Sequence, residues 1–166
     1  NDLPGFAGWV RGGVLAEQCS QRLVRNRAAN ELPMWTEHGS QSAERPAIVL
    51  LNGWTLSGNV WPSVFVERLA VDHRVIRIDN RGTGQRRGAA LPFTIEDLAD
   101  DVAAVIEAAE LDRPLVVGFS LGGMIAMETA LRHPRLVGSL AVLSSRPPNT
   151  AQVQGTRSVA TAFQSP

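Results

Sequence analysis

From residue 46 onward, short apolar blocks alternate with longer amphipathic stretches. Residues 46–51 (Pro-Ala-Ile-Val-Leu-Leu) form an apolar run ending at Asn52-Gly53, which predicts a strand buried on both faces. Between Val60 and Ala70, apolar residues at 60, 61, 64, 65 and 69 recur at helical spacing, and residues 74–78 then predict a second strand closing at Asp79. Thr94 with Asp97 three residues later predicts a capping box. The helix it opens carries Ile95, Leu98, Val102, Val105, Ile106 and Ala109 on one face. Residues 114–117 predict the next strand, Leu121 to Arg132 a helix stopped by Pro134, and Leu136 to Leu143 a further strand. This alternation implies an α/β fold, with a mostly parallel sheet, helices on both faces and right-handed crossovers. Upstream, 22–27 and 33–37 read as extended pieces bracketing 28–32, a hairpin at the sheet's edge. Residues 1–21 show no period and receive no element.

Composition narrows the function classes. A chain of 166 residues is the size of one domain. Its sixteen basic and sixteen acidic residues leave no basic face for nucleic acid, so a small-molecule substrate is the expected partner. Cys19 is the single cysteine, which excludes an intramolecular disulfide and a cysteine-based metal site; no metal and no cofactor are expected. No apolar run reaches the eighteen or so residues of a membrane span, and the start lacks a signal-peptide pattern, so a soluble, cytoplasmic protein is expected. There is no internal repeat. The chain begins at Asn1 and closes in the polar run 155–166, which predicts that both ends are cut.

The candidate chemistry lies where the strand at 114–117 turns into the helix at 121. Gly118-Phe119-Ser120-Leu121-Gly122 has the form of a nucleophile elbow. A serine hydroxyl needs exposure, a base to take its proton and donors for the oxyanion it creates. A strained strand-to-helix turn supplies the exposure and leaves room only for glycine two residues to either side, at Gly118 and Gly122. The same turn aims the Leu121 N–H at the developing negative charge, helped by the helix dipole. A five-residue string of this kind also occurs by chance in loops, but here it stands between an apolar strand and an amphipathic helix.

Three motifs carry a family resemblance over about residues 22–145: Asn52-Gly53-Trp54, the run Asp79-Asn80-Arg81-Gly82-Thr83-Gly84-Gln85-Arg86, and Gly118 to Met124. The chain resembles the α/β-hydrolase family, in particular its esterase, lactonase and peptidase members. The resemblance implies a serine hydrolase acting on a small ester, lactone or related carbonyl compound through an acyl-Ser120 intermediate. It also implies Trp54 N–H as the second oxyanion donor, with its indole walling the pocket, and Asn52-Gly53 as the supporting loop. Two positions depart from the family pattern: Asn52 replaces the usual His, where it is expected to keep a loop-bracing hydrogen bond, and Arg86 replaces the usual Ser. Gly82-Thr83-Gly84 also admits a dinucleotide-binding reading, which Arg87 at the third glycine position and the distant next helix argue against. Asp79 and Arg81 are expected to shape the turn.

The rest of a triad should follow the nucleophile as acid and then His. After Ser120 the only carboxylate is Glu128 and the only histidine is His133, both on or beside the same helix. His133 suits a helix C-terminus better than a base, and His38 and His73 precede the elbow and read as surface residues. Ser144-Ser145-Arg146, where some relatives carry the acid, has no Asp or Glu. The resemblance implies a chain of roughly 250 residues whose last two strands bear the missing pair. The 166 residues are therefore expected to be a fragment, truncated before those strands and inactive alone. Residues 22–145 are the expected core, with 146–166 as the start of a cap or a disordered tail, and self-association through the unfinished sheet edge is expected. A non-catalytic binding member of the fold, or a cofactor-free perhydrolase or haloperoxidase-like enzyme, is the alternative.

Overall fold

The computed structural model describes residues 22–23, 34–40, 45–89 and 92–148. The expectations for 1–21, for the hairpin's connecting residues and for most of 146–166 lie outside the described residues. Six strands form one sheet in the order β1-β2-β4-β3-β5-β6. They are β1 (Arg22–Leu23), β2 (Met34–His38), β3 (Ile48–Leu51), β4 (Val75–Asp79), β5 (Leu115–Phe119) and β6 (Ser139–Leu143). β3 pairs in parallel with β4 and β5, and β5 with β6; β1 with β2 and β2 with β4 are antiparallel. The antiparallel pair sits at the sheet's edge, as the hairpin reading requires.

Side-chain alternation divides the core between the two faces. Ile48, Leu50, Val75 and Val117 cluster with Val66 of α1 (Ser63–Ala70), and Trp61, Leu69 and Ala70 pack against them. Val49, Leu51, Ile76, Ile78 and Val116 face the other way, onto α2 (Ile95–Ala108) and α3 (Leu121–Arg132). Because β3 is central and covered on both faces, Val49, Leu50 and Leu51 are wholly buried, each contributing about 1.5–3 kcal/mol. Both arms of the capping box form at α2: Asp97 N–H donates to Thr94 Oγ1 at 3.2 Å and Thr94 N–H to Asp97 Oδ2 at 2.8 Å.

Three expectations need correction. The helix expected from residue 60 is split: a 3-10 turn covers Gly58–Val60, and α1 begins only after Pro62, which cannot donate into a preceding turn. The strand expected from Leu136 begins at Ser139, because the Leu136 N–H bonds back to His133 O, closing a turn, and the chain meets the β5 segment only from Gly138, whose N–H bonds to Pro114 O. His38 is not a surface turn residue: it is the last residue of β2, opposite Val75, and only 5% exposed, and the turn falls on the next residue, Gly39, with φ +80°.

Candidate active site

The C-terminal ends of β3, β4 and β5 lie side by side, so the loops that leave them meet at one rim of the sheet. Ser120 stands between β5 and α3 with φ 54° and ψ −118°, a conformation costing on the order of 1–3 kcal/mol for a residue with a Cβ. Glycine is sterically required on both sides of it. A Cβ at Gly118 would lie 2.2 Å from the Gly122 carbonyl oxygen, and one at Gly122 would lie 2.2 Å from the Leu51 carbonyl oxygen. The elbow is therefore clamped between its own helix and the end of β3.

The loop after β3 sits against the serine, since a Cβ at Gly53 would be 3.4 Å from Ser120 Cβ. Asn52, 4% exposed, braces this loop as expected. Its Oδ1 accepts the Gly53 N–H at 3.0 Å and its Nδ2 donates to Ser57 O at 3.2 Å. Trp54 follows in a turn closed by the Leu56 N–H on Gly53 O, and the residue is 71% exposed. Leu121 is the first residue of α3, so its N–H has no intrahelical carbonyl to reach and carries the positive end of the helix dipole.

Asp79 and the arginines organise the neighbouring loops. Asp79 Oδ1 accepts the Gly58 N–H at 2.8 Å and its Oδ2 the Gln85 N–H at 3.1 Å, joining two loops at the end of β4. Arg81 holds Asp101 of α2 through two hydrogen bonds of 2.7 and 2.9 Å, and Arg86 adds a third at 2.8 Å. The departure at Arg86 thus ties the loop after β4 to α2. Gly84 passes so close to Asp79 that a Cβ there would overlap the carboxylate.

The chain's three histidines all lie at the opposite end of the sheet. His38 pairs with the first residue of β4. His73 precedes that strand and its Nδ1 lies 2.8 Å from Pro46 O, just before β3. His133 follows α3, about 18 Å along the helix axis from the elbow, where its Nε2 lies 2.7 Å from Asp100 Oδ1. Asp100 also accepts two hydrogen bonds from Arg132, and that pairing, then His133, holds its carboxyl below the ordinary range. Burial, then the nearby Arg77 guanidinium, pushes the His38 imidazole below its usual value.

One feature of the site had no signal in the sequence. The Ser120 N–H donates to Leu143 O at 2.9 Å, and the Ser145 hydroxyl donates to Ser120 O at 2.6 Å. The end of β6 thus grips the elbow's backbone from the side. Neither contact has a motif, because each depends on β5 and β6 being sheet neighbours. Among the described residues no group of three or more His, Cys, Asp or Glu could hold a metal, and no helix is long and apolar enough to cross a membrane.

Comparison with known proteins agrees with this geometry. The family model of the alpha/beta hydrolase fold matches residues 46–164. A protein named for carbamate hydrolysis, RutD of Rhizobium rhizogenes, is 38% identical over 110 residues, 65% of this chain and 41% of its own. Rhodomycin D methylesterase DauP of a Streptomyces species is 40% identical over 118 residues, 69% of this chain and 39% of its own. The crystal structure of a membrane phospholipase A superposes with a TM-score of 0.68 at 27% identity, covering 84% of this chain and 42% of that one. The chain spans about two fifths of the length of the curated relatives it matches.

Proposed function

The chain belongs to the α/β-hydrolase fold family, and from that premise we propose that it is the nucleophile-bearing part of a serine hydrolase acting on a small ester, lactone or related carbonyl compound. The Ser120 oxygen bonds to the carbonyl carbon, and the N–H groups of Trp54 and Leu121 hold the oxyanion. The leaving group departs with a proton, and water then releases the acid from the acyl-serine. The carrying observation is the strained Ser120, φ 54°, kept in place by two glycines that cannot bear a Cβ. Such strain persists where the surrounding structure over-determines it, as at a reacting group.

In this reading the carboxylate and imidazole that activate Ser120 come from outside the 166 residues, because all three histidines stand at the far end of the sheet. A fluorophosphonate should therefore label the 166-residue chain slowly or not at all, and Ser120→Ala should abolish any labelling that occurs. Rapid labelling of this chain would show that a base is within reach. The parent reading frame should continue into an Asp or Glu and then a His, with fast, Ser120-dependent ester hydrolysis by the longer protein. A second reading, a binding member of the fold without turnover, is favoured by the same distant histidines. It predicts a longer protein that binds ester ligands but leaves them intact.

A further inference from the structure

Ser145 lies outside the elbow motif, yet it touches the elbow at the place that governs where the Leu121 N–H points. The Ser120 carbonyl and the Leu121 N–H belong to one planar trans peptide and point in opposite directions. Anchoring the oxygen therefore aims the hydrogen. Two donors anchor it: the Ser145 hydroxyl at 2.6 Å, and the Gly123 N–H of the first turn of α3 at 2.9 Å. The approach is built for contact. Ser144 adopts φ 47° directly after β6, turning the chain back toward the elbow. Gly123 lies under Ser145 so closely that a Cβ there would come within 2.4 Å of the Ser145 Cβ.

The anchor opposes rotation of the peptide that follows a strained residue. At φ 54° its ψ of −118° is strained, whereas ψ near +47° is the ordinary left-handed conformation. Reaching it would take a turn of the 120–121 peptide plane through about half a circle, which would swing the Leu121 N–H out of the site, so a hold on the Ser120 oxygen resists any such turn. We propose that Ser145 is a positioning residue that holds this peptide plane and so aims the Leu121 oxyanion donor. The inference rests on the serine-hydrolase reading for its catalytic meaning, while the hold on the peptide stands by itself. It assigns a role to the segment after β6, which the sequence marks only by the absence of an acid.

Ser145→Ala in the isotopically labelled 166-residue chain tests this, with Ser139→Ala on exposed β6 as the control. The Ser120 carbonyl carbon and the Leu121 amide should both shift in Ser145→Ala and stay in place in Ser139→Ala. Exchange of the Ser120 and Gly123 amides should rise roughly tenfold, the upper end of what one hydrogen bond contributes, and fluorophosphonate labelling of Ser120 should fall by a similar factor. Resonances and rates equal to those of the control overturn the proposal, as does slower labelling with the Ser120 and Leu121 signals unmoved. A wild-type chain that does not label at all agrees with the absence of a base from the 166 residues; the resonance and exchange data then decide the role of Ser145, while ester hydrolysis by the longer protein decides the hydrolase reading.

Discussion

At the scale of single residues, the elbow's demands are steric and can be separated from the general cost of changing a glycine. Gly122→Ala places a methyl against the carbonyl oxygens of Leu51 and Asn52, at 2.2 and 2.7 Å. It should destabilise the protein by about 3 kcal/mol or more. Gly88→Ala meets nothing within 4 Å and should stay within about 0.5 kcal/mol of the parent in urea unfolding. Similar losses for the two would refute the packing argument. His38 supplies a pH dependence. Its folded pKa is held below the ordinary 6.5 by burial and then Arg77, with Glu67 opposing. The neutral form is favoured in the folded state, so its contribution is fully present above about pH 6.5 and is lost as pH falls toward the depressed folded value. The urea midpoint should drop between pH 7 and 5, and His38→Gln should lessen that drop.

At the scale of elements, loops and helix ends are fixed by a few side chains. Asn52 satisfies two backbone groups of the loop beside Ser120, so Asn52→Ala should cost about 1–3 kcal/mol. It should also raise amide exchange at Gly53 more than at the centre of β3; an equal rise at both would remove the bracing role. Thr94→Ala removes one arm of the α2 capping box and should cost about 1 kcal/mol in urea unfolding.

At the scale of the whole molecule, the two sides of the sheet's centre are finished differently. β3 is wholly buried, but β6 is the last strand among the described residues and exposes Leu140, Val142 and Leu143 at 39%, 39% and 42%. An apolar edge strand without charges invites pairing with another chain, and a net charge of zero does little to oppose it. We propose that the 166-residue chain self-associates through this edge. Sedimentation should show concentration-dependent association that Val142→Lys reduces, while a monomer at every concentration would refute it.

What the residues alone determined is largely local and periodic. The strands expected at 46–51 and 114–117, found at 48–51 and 115–119, the helix beginning after Ser120 and the Thr94–Asp97 cap follow from hydrophobic period, cap chemistry and glycine spacing, while the bracing role of Asn52 came from the family resemblance. These are decided within a few residues of chain. Tertiary structure decided what depends on neighbours distant in sequence: the burial of His38 beside β4, the far-end placement of all three histidines and the tie from Arg86 to Asp101. It also decided the hydrogen bond from Ser145 to the Ser120 carbonyl, 25 residues away. Strand order sets these contacts, and strand order is a long-range pairing that no local pattern encodes.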